Sequence, residues 1–247
     1  MNALPPVDVP NASDLYEGVD YPRYWESASR RSLDGLERAL VRQLLPEHGR
    51  RIIDLGCGYG RLLDCYADRF EQIVLFDGSE SLLRQAQEAA PAQALCVLGD
   101  IERLPFRPAA FSAALMVRVF HHLIRPGPCL EGVQELLCGG GTLVMNYSNK
   151  RNAFRVLKYL LRRSSHSPFT LEPLTEEANF FHYHPAWMSQ MLWSSGFGKP
   201  VYRGAGVLDK LAAIAGPRAG WVPHGAWLAP LLGSTALAPW IFCKANA

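Results

Sequence analysis

The chain has 247 residues, of which 49% are hydrophobic and 19% charged, and its formal net charge is +2. This length and apolar content suffice to bury one large core, and so small and scattered a charge argues against nucleic acid as a partner. Six cysteines form no C-x-x-C pair and lie mostly in apolar runs, which excludes a disulfide framework or zinc site in favour of reduced thiols in a cytoplasmic protein.

In chain order, the first residues carry no basic segment followed by an apolar one, so no secretion signal is expected. Residues 16–25 are rich in aromatics, with Tyr16, Tyr21, Tyr24 and Trp25. Leu33, Leu36, Leu40 and Leu44 share one helical face, and Pro46 follows the helix end. An apolar strand then runs through Ile52 and Ile53 to Asp54 and into Gly56-Cys57-Gly58-Tyr59-Gly60-Arg61. Glycine lets a backbone turn sharply out of a strand and approach a ligand closely, and residues 61–70 are expected to continue as a helix.

Three loop chemistries compete for this string. A phosphate-cradling loop needs Gly-Lys-Ser/Thr at its end, and this one ends Tyr59-Gly60-Arg61. A dinucleotide loop spaces its glycines G-x-G-x-x-G, whereas here Arg61 holds the sixth position. Asp54 would also repel a pyrophosphate, and suits a ligand carrying a cationic group.

Further strands follow the loop. Residues 72–76 are apolar and end at Asp77, followed by Gly78, Ser79 and a helical pattern through Leu82, Leu83 and Ala86. An acid about 20 residues past a glycine loop is placed to accept from ribose hydroxyls. Residues 94–98 lead to Gly99-Asp100-Ile101, and residues 111–117 to Arg118-Val119-Phe120-His121-His122-Leu123. A helix, a glycine turn at Gly139-Gly140-Gly141 and a fifth strand complete the run. This alternation of strand and helix from 51 to 147 predicts a parallel sheet wound on both faces.

The string from Asp54 to Gly60 resembles motif I of the class I S-adenosylmethionine (SAM)-dependent methyltransferases, of the UbiE/type-11 kind. The resemblance covers roughly 50–147 in order and spacing and extends more weakly to the C-terminal strands. It implies a Rossmann-like, doubly wound, mostly parallel seven-stranded sheet with an antiparallel last strand, SAM as cofactor, and methyl transfer to a small molecule. It places Asp54, Gly56, Cys57, Gly58 and Gly60 in the cofactor loop. Asp77, Gly78 and Ser79 follow at the second strand, and Gly99, Asp100 and Ile101 at the third. Asp100 would accept from the adenine amino group while Ile101 packs on the ring. Two positions depart from the family pattern. Ser112 replaces a usual Asp, and Val117-Arg118 stand where a small polar residue is common. Val117 would contribute its backbone carbonyl; Arg118 would reach the SAM carboxylate, an anionic substrate or solvent.

The resemblance further divides one domain, 1–247, into an N-terminal helical lid (1–48), a SAM-binding core (50–147), a substrate cap (150–197) and C-terminal strands (198–247). Strand six is expected at 200–204 and strand seven at 237–244, antiparallel at the sheet edge. His121 and His122 are the candidate general bases, or else a packing element, and Tyr16, Tyr24, His182 and Tyr183 are candidate substrate contacts. His182 and His184 have no third partner nearby for a metal, so no metal site is expected. Residues 151–163 read as a basic amphipathic helix, either simply solvated on its charged face or in peripheral contact with a membrane; residues 164–179 read as irregular. The aromatics of 154–197 suit an apolar or aromatic acceptor, and equally a core-forming cap. No apolar stretch reaches the ~18 residues of a membrane span. The rival functions are an RNA or protein methyltransferase, disfavoured by the missing Asn/Asp-Pro-Pro-Tyr/Phe motif and basic patch, and a non-catalytic SAM-binding module.

Overall fold

The computed structural model describes residues 20–177, 180–207 and 238–247. Its centre is the pair β1 (Gly49–Leu55) and β4 (Phe111–Met116), whose inner residues are apolar on both faces, as parallel strands covered on both sides require. β2 (Phe70–Asp77) and β3 (Ala94–Leu98) extend the sheet from β1, and β5 (Leu137–Ser148) extends it from β4, all parallel. β8 (Val201–Ala205) and β9 (Trp240–Asn246) complete the order β3-β2-β1-β4-β5-β9-β8.

Helices cover both faces. α2 (Ala28–Leu44) starts where Ser27 accepts from the Arg30 amide, and buries Leu33, Leu40, Val41 and Leu44. α3 (Glu80–Ala89) is capped by Ser79 and buries Leu82, Leu83 and Ala86. Leu40, Val41, Leu44, Leu83 and Ala86 share a core with Ile52, Leu75, Ala113 and Leu115 on one sheet face. On the other face, α4 (Pro126–Leu136) and α6 (Pro185–Ser194) pack on Ile53, Ala114, Met116 and Met145. The short α1 (Tyr21–Tyr24) precedes α2, and α5 (Ala153–Leu160) follows β5.

Four expectations are corrected. Residues 61–70 do not form an α-helix; they make a tight turn around a three-residue 3-10 segment, Leu63–Cys65, in which the Leu63 amide donates to the Gly60 carbonyl and the Cys65 amide to the Leu62 carbonyl. The Tyr66 hydroxyl donates to Asp54 at 2.5 Å, which holds this connection down against β1. The glycine turn at 139–141 lies inside β5. Phe111 faces Leu137, yet Ala113 faces Thr142, so β5 bulges, and Gly140 takes φ +78 there. Residues 164–179 are not wholly irregular, because β6 (Leu174–Glu177) pairs antiparallel with β7 (Phe180–His182). The last strand is antiparallel as expected but not at the edge. β9 lies between β5 and β8, and Ile241, Phe242 and Cys243 are fully buried while β8 alternates exposed and half-buried.

Ser112, in place of the family's Asp, spans β4 to β1 by donating to the Arg51 carbonyl and accepting from its amide at 3.0 and 3.2 Å. The position of β9 sets a stability contrast. Phe242→Ala is expected to cost about 3–5 kcal/mol, and Val201→Ala on the β8 edge about 0.5 kcal/mol or less. Urea unfolding of both variants checks it.

Candidate functional site

A cleft open to solvent lies at the carboxyl ends of β1, β2, β3 and β4. Its floor is the glycine loop. Gly56, Gly58 and Gly60 have φ of +73, +55 and +81, and a Cβ on Gly56 would come within 2.2 Å of the Val119 side chain. The amides of Gly56 and Cys57 both donate to the Phe76 carbonyl, so the loop is anchored to β2. Asp77 adds a second anchor. One carboxylate oxygen accepts from the Gly58 amide at 2.7 Å and the other from the Ser79 amide at 2.9 Å.

Of the expected cofactor residues, Asp54, Gly56, Cys57 and Gly58 of the loop line the cleft, as do Asp77, Gly78, Gly99, Asp100 and Ile101. Val117 and Arg118 line it at the end of β4. Gly60 and Ser79 do not. Gly60 turns the loop, and Ser79 is buried capping α3. Asp100 is oriented by the Glu102 amide, which donates to it at 2.9 Å. Gly99 lets its strand end pass the Phe76 ring, since a Cβ there would lie 2.7 Å from it.

Asp54 is buried, and burial pushes its carboxyl up to about 7; the Tyr66 hydrogen bond opposes this, the charge of Asp77 adds to it, and Arg61 opposes it.

Arg118 takes φ +67, a left-handed conformation uncommon outside glycine, and its amide donates to the Asn146 side chain at 2.7 Å. Its guanidinium is not turned to solvent. It pairs with the fully buried Glu37 of α2 at 2.5 Å and stacks 3.8 Å from the Trp240 ring centre. Arg61 reaches the other Glu37 oxygen at 2.8 Å, pairs with Asp34, and lies 4.0 Å over the Trp25 ring. Three buried polar atoms around Arg118 have no hydrogen-bond partner among the described residues: Trp25 Nε1, His121 Nδ1 and Asn146 Nδ2.

The histidine pair divides. His122 lines the cleft; His121 does not. His121 packs against Phe180 and Trp240 with ring centres 4.5 and 5.1 Å apart, and burial, aided by the charges of His122, Arg118 and His182, holds its pKa well below the usual histidine range.

Of the expected substrate contacts, Tyr24, His182 and Tyr183 do not line the cleft. Tyr183 is in the core, stacked on Trp187, its hydroxyl donating to the Phe120 carbonyl. Tyr24 is exposed beneath the Arg30 guanidinium. His182 has both ring nitrogens occupied. Arg155 can only donate, so Nε2 accepts from it, and Nδ1 carries the proton toward Ser148. Tyr16 falls outside the described residues. Tyr21, Arg61, Phe76 and Leu123 line the cleft without having been singled out as site residues in the sequence. α1 turns Tyr21 inward where Tyr24 turns out; the helical spacing of the aromatics was the available signal.

The cleft, the sheet order and the acids at the ends of β1, β2 and β3 define a class I SAM-dependent methyltransferase fold. A family model described as a methyltransferase domain, type 11, matches residues 53–145. Over residues 53–145 the chain accordingly carries a SAM-dependent methyltransferase domain, for which SAM is the cofactor. An uncharacterized methyltransferase of Mycobacterium bovis is 29% identical over 107 residues, 43% of either chain. A ubiquinone biosynthesis O-methyltransferase of a Caulobacter species is 28% identical over 116 residues, 42% of this chain and 43% of its own. The match thus spans under half the length of these relatives. Among solved structures, the 1,6-didemethyltoxoflavin-N1-methyltransferase of Burkholderia thailandensis, with its substrate and S-adenosylhomocysteine bound, superposes with a TM-score of 0.59 at 15% identity, covering 92% of this chain and 81% of that one.

Two measurements test the electrostatics. Asp54 titrates higher folded than unfolded, so it favours the fold at low pH and this contribution is lost as pH rises from about 4 to 7. Urea unfolding should show Asp54→Asn gaining stability relative to wild type from pH 5 to pH 8. Glu37→Ala leaves Arg61 and Arg118 without their shared partner and is expected to cost about 3–5 kcal/mol, whereas a loss below about 1 kcal/mol would mean that the pairs contribute little.

Proposed function

We propose that this chain is an active methyltransferase that moves a methyl group from SAM to a small, apolar or aromatic molecule. The observation that carries the reading is the charge pattern of the cleft. Asp54, Asp77 and Asp100 face it, while its two cations, Arg61 and Arg118, are already neutralised by Asp34 and Glu37. Such a surface suits a cationic, phosphate-free ligand. The residues also fit by shape, because a Cβ on Gly58 would have no neighbour nearer than Leu82 at 4.0 Å and would intrude on the cleft itself.

SAM supplies a methyl group on a sulfonium, transferred by in-line displacement. In this reading Asp54 faces the cationic amine, Asp77 accepts from the ribose hydroxyls, and Asp100 and Ile101 hold the adenine. The Val117 carbonyl and Arg118 bound the methionine end. Because both Asp77 oxygens already hold loop and helix amides, the ribose site is set before ligand arrives. Tyr21, Val119 and Leu123 exclude water on the acceptor side. Where the acceptor must lose a proton, an imidazole nitrogen of His122 takes it. His121 instead braces the ring of His122, 4.2 Å away between centres. The orphaned Trp25 and Asn146 donors beside Arg118 support a ligand with an oxygen at that end. The small-molecule acceptor draws support from the relative named for ubiquinone biosynthesis, and a cytoplasmic location from the reduced-thiol composition; among the described residues no helix is long and apolar enough to cross a membrane.

Calorimetry should show binding of SAM and S-adenosylhomocysteine. Asp77→Ala should weaken both by about 30-fold or more, since charge-assisted hydrogen bonds contribute about 1.5–3 kcal/mol each. No binding of either by wild type sinks the reading. Methyl incorporation from labelled SAM into a metabolite extract identifies the acceptor; binding without any incorporation would leave a non-catalytic module. In single turnover, His122→Ala should fall about 100-fold, and an unchanged rate removes it as the base.

A further inference from the structure

Helix α5 has an apolar side that is largely exposed among the described residues. Leu157 is 56% exposed, Leu160 66% and Leu161 54%, and the loop beyond adds Phe169 at 48% and Leu171 at 42%. Elsewhere among the described residues, exposed large apolar side chains come singly or in pairs. The segment is also of one charge. Residues 149–171 contain six Lys or Arg and no Asp or Glu. Lys150 is occupied, donating to the Thr170 and Glu172 carbonyls at 3.0 and 2.6 Å, and Arg155 bonds to His182. Arg151, Lys158, Arg162 and Arg163 are exposed and make no ion pair among the described residues.

The surface is built rather than loose. Lys150 ties the loop to the start of α5, and Phe169 packs edge-on against Tyr159 at 6.0 Å. The helix ends with the Arg162 amide on the Tyr159 carbonyl and the Arg163 amide on the Lys158 carbonyl, at 2.9 and 2.8 Å. This ending strongly favours glycine at its left-handed position. Here that position is Arg162, at φ +54. A strained backbone is here combined with a charge that glycine would remove.

We propose that the face formed by Leu157, Leu160, Leu161 and Phe169 docks on an anionic lipid surface, with Lys158, Arg162 and Arg163 at the headgroups. A row of leucines on a helix whose charged residues are all cations, with Glu172 beyond its far border, is the complement of an apolar layer beneath a layer of negative charge. The docking does not depend on the methyl-transfer reading, and SAM is left out of its test.

The full chain is sedimented with phosphatidylcholine vesicles, with and without phosphatidylglycerol. Binding is expected to the anionic vesicles and to fall with added salt. The triple variant Leu157→Glu, Leu160→Glu, Leu161→Glu should bind at least about tenfold more weakly while unfolding at the wild-type temperature. Arg162→Gly should move two readings in opposite directions, raising the unfolding temperature by relieving the left-handed strain and weakening anionic-vesicle binding by about fivefold. The proposal is overturned if wild type sediments with neither vesicle, or if binding is indifferent to these substitutions. It is likewise overturned if the chain is a dimer in solution that the leucine substitutions dissociate, because the face would then belong to a second copy.

Discussion

The structure turns on one buried carboxylate. Glu37 is fully enclosed, with Arg61 on one oxygen and Arg118 on the other. A charge removed from water is tolerated only when paired and hydrogen-bonded, so these two arginines have to be where they are. One follows the glycine loop, the other follows β4, and Glu37 belongs to the helix ahead of the sheet. Three segments distant in sequence are thereby held in register around the cleft, with Trp25 and Trp240 stacked against the guanidinium groups. Arg118 reaches Glu37 with its backbone in a left-handed conformation, a local strain that the ion pair and the stacking offset.

The same arrangement decides what the cleft attracts. Arginines at the mouth of a glycine loop would ordinarily suggest phosphate. With Asp34 and Glu37 on them, the field left in the cleft is that of Asp54, Asp77 and Asp100. Asp54 contributes least at neutral pH, because burial holds its carboxyl near the point of half-ionisation, and a cation bound beside it would draw it toward the charged form.

What was legible in the sequence follows the range of the interactions. The glycine loop, Asp77, Asp100, and the helices starting at Ser27 and Ser79 depend on neighbours a few residues away, and their patterns announced them. The apolar strands 51–55 and 111–116 were legible because burial on both faces leaves unbroken hydrophobic runs. The segment 61–70 misled for the opposite reason. Its composition permits a helix, but the bond from Tyr66 to Asp54 shortens it. The link from Arg118 to Glu37 spans 81 residues, and no local pattern carries it. The histidines show the limit at its finest. Adjacent in sequence, one faces the cleft and the other the core, and only the turn at Phe120–His122 decides which.

The place of β9 also orders the assembly of the molecule. β8 precedes β9 in the chain, yet among the described residues its only neighbour in the sheet is β9. Residues 201–205 therefore have no described strand to join until residues 240–246 are made, and these in turn pair with β5, about a hundred positions behind them. As the chain is synthesised, the half of the sheet that lines the cleft can form while β5 still presents an open edge. Closing that edge is a late, long-range event, and any delay in it exposes a row of unpaired backbone groups to other chains.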